Sequence, residues 1–102
     1  MAKLPSIFEY VIDLFQLFYP ISYKKMFGSY GIFYQSEMIA IYHKEAVYIK
    51  ANEKNLPIFL QHKLGRFSYI SQGKQKFLNY YQIPEEIFDN VDTAKFWINL
   101  AI

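Results

Sequence analysis

The chain has 102 residues, 53% hydrophobic and 20% charged, with four glycines and four prolines, which is one globular domain and neither a disordered tail, a collagen-like repeat nor a linker-rich array. It contains no cysteine, which excludes a disulfide scaffold, a thiolate zinc site and a cysteine nucleophile, and suits a reducing cytoplasm. The net charge of +2 is unevenly spread: residues 1–42 are neutral, residues 43–76 carry seven basic and two acidic side chains, and residues 77–102 carry one lysine and four acids.

The chain opens Met1-Ala2-Lys3-Leu4-Pro5-Ser6 and continues apolar to Tyr19. Glu9, Asp13 and Gln16 interrupt that run, and no small-residue cleavage site follows. It reads as neither a signal peptide nor a membrane span, so a soluble cytoplasmic protein is expected. Ser6-Ile7-Phe8-Glu9 fits a capping box and predicts a helix over 7–19 that Pro20 ends. Its polar stripe is narrow, so one covering layer is not enough. The sheet is expected to cover one side, and either the C-terminal helix or the second subunit of a homodimer another, meeting Phe8, Phe15 and Tyr19.

Phe27-Gly28-Ser29-Tyr30-Gly31 then reads as a loop entering strands near 31–35, 38–43 and 46–51, where β-branched and aromatic residues dominate. The turns Gln35-Ser36-Glu37 and His43-Lys44-Glu45 are short, which predicts an antiparallel meander. Val47 and Ile49 are expected to face the helices, with Tyr48 and Lys50 facing away. Gly28 and Gly31 are expected to supply unusual φ or close packing. A second helix is expected over 52–64, starting late because of Pro57, with Gly65 as its left-handed cap. A hairpin over 67–72 and 75–81 turns at Gly73. Pro84-Glu85-Glu86 begins a short helix, and Asp92 caps a last one carrying Phe96, Trp97 and Leu100. The result is an α+β fold: a two-layer α-β3-α-β2-α domain, with a five-stranded antiparallel sheet and helices packed on one face.

Candidate chemistry is sparse. His43 and His62, nineteen residues apart, have no partners at ligand spacing, so both are expected on the surface and no metal is implied. No nucleophile elbow, Rossmann fingerprint or P-loop occurs. Gly28-Ser29-Tyr30-Gly31 spells the GxxG of a KH clamp but enters a strand. Tyr30-Gly31-Ile32-Phe33-Tyr34 resembles the aromatic strand of an RNA-recognition motif without its leading basic-Gly pair. Ten Phe, ten Tyr and one Trp make 21% of the chain, which predicts an aromatic core or an exposed aromatic face.

The string Lys25-Met26-Phe27-Gly28-Ser29-Tyr30-Gly31-Ile32-Phe33 resembles the signature of the TfoX/Sxy N-terminal domain family, usually Met-Phe-Gly-Gly-Tyr-Gly followed by a hydrophobic strand. The resemblance continues through Met38-Ile39-Ala40 and Val47-Tyr48-Ile49-Lys50. It resumes at Phe67-Ser68-Tyr69 and Tyr80-Tyr81-Gln82-Ile83-Pro84-Glu85, and ends near Trp97 and Ala101. Met26, Phe27, Gly28, Tyr30, Gly31, Tyr48, Lys50, Tyr80, Tyr81 and Pro84 are thus signature positions with mainly structural roles. Ser29 departs from the pattern. The resemblance implies the same two-layer fold and a link to natural competence for DNA uptake, in which longer members act as coactivators with the cyclic-AMP receptor protein. It brings no catalytic residues and no cofactors. Longer members carry a separate C-terminal helical domain, whereas residues 1–102 read here as one N-terminal-type domain.

Two functions follow as expectations. One is a non-enzymatic regulatory domain that contacts a protein, the transcription machinery or the cyclic-AMP receptor protein by resemblance, through the Tyr-bearing sheet face and the loop from Met26 to Tyr30. The alternative is a nucleic-acid-binding module in which Lys24, Lys25, Lys50, Lys74 and Lys76 meet phosphates and Tyr48 or Tyr69 stacks on bases. A small-molecule or enzymatic role would require a deep pocket with convergent polar groups.

Overall fold

The computed structural model describes residues 5–26 and 28–102. The opening four residues and Phe27 of the signature string lie outside the described residues. The elements in chain order are α1 (Ser6–Gln16), β1 (Ser22–Met26), β2 (Ser29–Tyr34), β3 (Glu37–His43), β4 (Ala46–Lys50), α2 (Leu56–Gln61), β5 (Arg66–Ser71), β6 (Lys74–Gln82), a 3-10 turn (Glu85–Phe88) and α3 (Val91–Asn99). The strands form one antiparallel sheet of six, in the order β1-β2-β3-β4-β6-β5. The expected five-strand count is therefore corrected by one. The extra strand is β1, whose residues Ser22-Tyr23-Lys24-Lys25 are all exposed. An edge strand with two adjacent lysines shows no buried alternation for a sequence to reveal.

Two hydrophobic clusters lie on opposite faces of the sheet. The larger packs Phe8, Val11, Ile12, Leu14 and Phe15 of α1, Phe59 of α2 and Ala94, Trp97 and Ile98 of α3 against Ile32, Tyr42, Val47 and Ile49 of the strands. Phe8 is its pivot, stacked on Tyr30 at 4.1 Å between centroids and edge-on to Tyr23 at 5.3 Å. The smaller cluster is Ile41, Phe67 and Tyr80 with Met38, Tyr48 and Leu78 against it, and no helix contributes to it. Val47 and Ile49 thus face the helices and Tyr48 the other way, as alternation requires. At the β2–β3 pairing the register slips between Ile32 and Phe33. Ile39 has no paired residue opposite, and it joins Ala40 in the helix-side core. This is the usual effect of a β-bulge.

Helix ends differ from expectation in instructive ways. Pro5 occupies the N-cap of α1 and Ser6 is already helical with no side-chain cap bond, so the capping box does not form. Glu9 N–H donates to the Pro5 carbonyl instead. The helix gives way after Gln16 to a turn through Tyr19. The second helix begins only at Leu56 because Asn52 Oδ1 accepts from the amides of Lys54 and Asn55. Those amides are thereby held in an Asx turn. The left-handed residue beyond the end of α2 is Lys63, one position past the His62 C-cap, and not Gly65: Lys63 has φ 55°, and its amide and that of Leu64 donate to the Leu60 and Phe59 carbonyls. This is the Schellman pattern with a non-glycine in the left-handed position. The last helix is capped by Asn90, whose Oδ1 accepts from Thr93 N–H at 3.0 Å, and not by Asp92. The side of α1 left open by the sheet meets the C-terminal segment. Tyr19 Oη donates to Asn99 Oδ1 at 2.6 Å and Tyr10 Oη to the Phe88 carbonyl at 3.1 Å.

A candidate interaction face on the open side of the sheet

Cross-strand partners share a face, so the register assigns every strand residue a side. Lys24 pairs with Gly31, Gly31 with Ile41, Ile41 with Tyr48, Lys50 with Tyr80, and Tyr69 with Lys76. Together with strand alternation, these pairs put Lys24, Lys50, Lys74, Lys76, Tyr48 and Tyr69 on the open face. Lys25 pairs with Tyr30, which stacks on Phe8, so Lys25 is on the helix side and leaves the set.

The open face is concave. Rings of His43 in β3 and Phe67 in β5 stand 5.5 Å apart. Three strand spacings would separate these strands by about 14 Å in a flat sheet. The sheet therefore curls, and a groove of about 200 Å3 forms in the hollow, lined by Met26, Ser29, Ile41, His43, Phe67, Tyr69 and Leu78. Met26 comes from one edge strand and Tyr69 from the other. Ser29 and His43 are joined by a hydrogen bond of 2.7 Å between Ser29 Oγ and His43 Nδ1. His43 is thus half-buried and paired, correcting the expectation of a surface residue. His62 is exposed and lies edge-on to Trp97 at 5.2 Å. A larger depression of about 570 Å3, between α1 and the β3–β4 turn, contains none of the signature residues.

Most signature residues hold this frame together. Gly28 has φ +70° in the β1–β2 turn. That turn joins two strands, so the comparison with a KH clamp, which joins helices, does not hold. Gly31 has an ordinary strand φ, and the expected backbone strain is absent there. A Cβ on Gly31 would stand 2.7 Å from the Met38 sulfur, so close packing is its role. Ser29, the departure from the family string, closes the β1–β2 hairpin opposite Met26. Tyr80 is buried and donates from Oη to the Met38 carbonyl at 2.7 Å. Tyr81 stacks on Phe59 at 5.4 Å on the helix side, and Pro84 leads the 3-10 turn. Lys50 Nζ lies 3.0 Å from Glu37 Oε1. Tyr48 is half-buried and edge-on to Phe67 at 4.9 Å. Burial pushes the Tyr48 and Tyr80 phenols above the ordinary tyrosine value, with Glu37 adding to the effect at Tyr80.

Sequence reasoning singled out neither the Ser29–His43 pair nor Asn55. Asn55 is buried: its Nδ2 donates to the Lys50 and Leu100 carbonyls, and its Oδ1 accepts from Asn52 N–H. It clips the end of β4 to the segment after α3. The spacing Asn52-x-x-Asn55 was the available signal, and it was absorbed into an expected helix.

The comparison with family models matches residues 13–102 to the TfoX N-terminal domain. The chain belongs to the TfoX N-terminal domain family. The match covers nearly the whole chain, including the curled sheet and its open face. No curated protein matches it. The family is associated with competence regulation and DNA uptake. Among the described residues no helix is long and apolar enough to cross a membrane, and no group of three or more His, Asp or Glu residues could hold a metal ion.

Proposed function

We propose that this TfoX N-terminal domain is an accessory domain of a competence regulator, acting by protein contact through the concave open face of its sheet and without intrinsic catalysis. The supporting observation is the groove itself: an apolar hollow walled by Met26, Ile41, Phe67, Tyr69 and Leu78, left uncovered by any helix. Uncovered apolar surface rimmed by polar residues is a common feature of protein-contact sites. Ser29 and His43 do not amount to a hydrolytic centre. His43 Nδ1 is the atom facing Ser29, and no acid among the described residues orients the far side of the ring. Such a pair orders the floor of the groove. The transcription machinery and the cyclic-AMP receptor protein are the partner classes the family association suggests.

The nucleic-acid reading draws on four lysines sharing a face with Tyr48 and Tyr69. Two details count against it. Lys50 is held by Glu37, and the ring of Tyr48 is occupied by Phe67, which leaves one tyrosine to stack on a base. Deleting the gene in a naturally transformable host that carries it should lower competence-gene transcripts. Unchanged transcripts would overturn the competence role. Tight promoter binding by the purified chain, falling steeply with salt, would favour nucleic acid instead.

A further inference from the structure

The two ends of the sheet are not alike. At one end β1 carries Lys24 and Lys25, side chains that discourage a further strand from docking. At the other end β5 carries one charge, Arg66 at its start, whose Nε donates to the Leu78 carbonyl of β6; from Phe67 to Ser71 it has neither charge nor proline, and it is paired with β6 alone. Its outer row of backbone donors and acceptors is a template for one more strand. Beyond the reach of β4, the β5–β6 hairpin projects with Ile70 70% and Phe77 53% exposed. Both lie on its convex side, away from the groove, by the register Ile70↔Gln75 and Ser68↔Phe77.

Charge narrows the occupant. Residues 54–84 hold Lys54, Lys63, Arg66, Lys74 and Lys76 and no acid. Lys74 and Lys76 lie on the open face of β6, one strand in from the edge. A second copy pairing β5 to β5 about a two-fold axis would gather Lys74 and Lys76 of both copies on one face, with no acid in residues 54–84 of either copy to offset them, which disfavours self-pairing. A phosphate backbone offers no donors to the β5 carbonyls.

We propose that the outer edge of β5 takes an extended acidic segment of a partner protein as a seventh strand. Its acidic side chains lie toward Lys74 and Lys76, and its alternate apolar side chains cover Ile70 and Phe77. Main-chain hydrogen bonds supply affinity and the alternating side chains supply selectivity, as in other strand-addition complexes. This inference rests on the protein-contact reading and names the chemistry of the partner.

The test is an NMR titration of the full chain with a ten-residue peptide alternating glutamate with valine and leucine. Binding should protect amides within 67–71 from exchange. Three changes should each weaken it at least tenfold: lysine in place of glutamate in the peptide, methylation of alternate peptide amides, and Ile70→Lys in the protein. Ile70 is so exposed that the variant keeps the wild-type melting temperature, and that control is run first. Absence of binding, equal binding of the methylated peptide, or protection at β1 would overturn the proposal. So would micromolar self-association abolished by Ile70→Lys, or displacement of the peptide by duplex DNA. Competence transcripts that ignore deletion of the gene would overturn the competence reading while leaving strand addition in place.

Discussion

Gly31 lies in β2 opposite Ile41, where a Cβ would stand 2.7 Å from the Met38 sulfur and 3.1 Å from the Phe33 ring. The obstacle is a flexible thioether, so Gly31→Ala is absorbed by a shift of Met38 and costs less than about 1 kcal/mol. Gly31→Val cannot be absorbed that way and should cost roughly 1–3 kcal/mol. Combining it with Met38→Ala should recover part of that loss, a coupling that a double-mutant cycle in urea would measure. Strict additivity of the two would contradict the packing account. Asn55 is the second residue on which the fold leans. Asn55→Ala strips partners from the Lys50 and Leu100 carbonyls and the Asn52 amide, and should destabilise by about 2–3 kcal/mol in the same assay.

At the scale of elements, the β3–β4 hairpin turns through Lys44 and Glu45, with φ values of 47° and 66°. The β2–β3 hairpin turns likewise through Gln35 and Ser36, at 51° and 68°. Both are two-residue turns in the left-handed region, a geometry that favours Asn-Gly. Replacing Lys44-Glu45 by Asn-Gly should raise stability by roughly 0.5–1 kcal/mol, read as a higher midpoint in thermal melts. The hairpins themselves were legible because alternating Ile, Val and Tyr residues mark them whatever the turn chemistry. The β1 strand was not, because an edge strand exposed on both faces leaves no periodicity. The helix ends are less legible for a related reason: Pro5 and Lys63 end their helices through backbone geometry alone, and Asn90 supplies the side-chain cap of α3 only two residues before Asp92, an equally good cap by type. Of the candidate face, the lysines and tyrosines were legible as types. The curl that gathers Met26, His43 and Phe67 into one groove was not, since it depends on twist accumulated across the strands.

On the scale of the whole molecule, the charge separation is between layers more than between stretches of chain. The six strands hold Lys24, Lys25, Lys50, Arg66, Lys74 and Lys76 against Glu37 alone. The helical layer carries Glu9 and Asp13 in α1 and Glu85 and Glu86 in the 3-10 turn. The basic layer is therefore the one with the open face, and it suits an acidic protein partner. The buried phenols also set an alkaline limit on the fold. Burial raises Tyr42, Tyr48 and Tyr80, with Glu45 adding at Tyr42 and Glu37 at Tyr80. Their neutral forms are favoured in the folded chain, so their contribution is fully present below the unfolded tyrosine value of about 10. It is lost as pH rises from there through the raised folded values, because the unfolded chain ionises first. The melting temperature should fall above pH about 10, with tyrosinate absorbance appearing alongside unfolding. Free ionisation of all the tyrosines in a still-folded chain would contradict this.

The central claim is that the open face serves competence regulation by contacting protein. It is tested most directly by competence-gene transcript levels in a transformable host whose chromosomal copy carries Tyr69→Ala and Lys76→Ala. Both residues are exposed, so the variant protein should accumulate at the normal level. The account predicts transcripts reduced to those of the deletion strain, while a variant at exposed Leu17, in the turn just after α1, leaves them unchanged. Wild-type transcripts in the Tyr69→Ala, Lys76→Ala strain, with deletion lowering them, would contradict it.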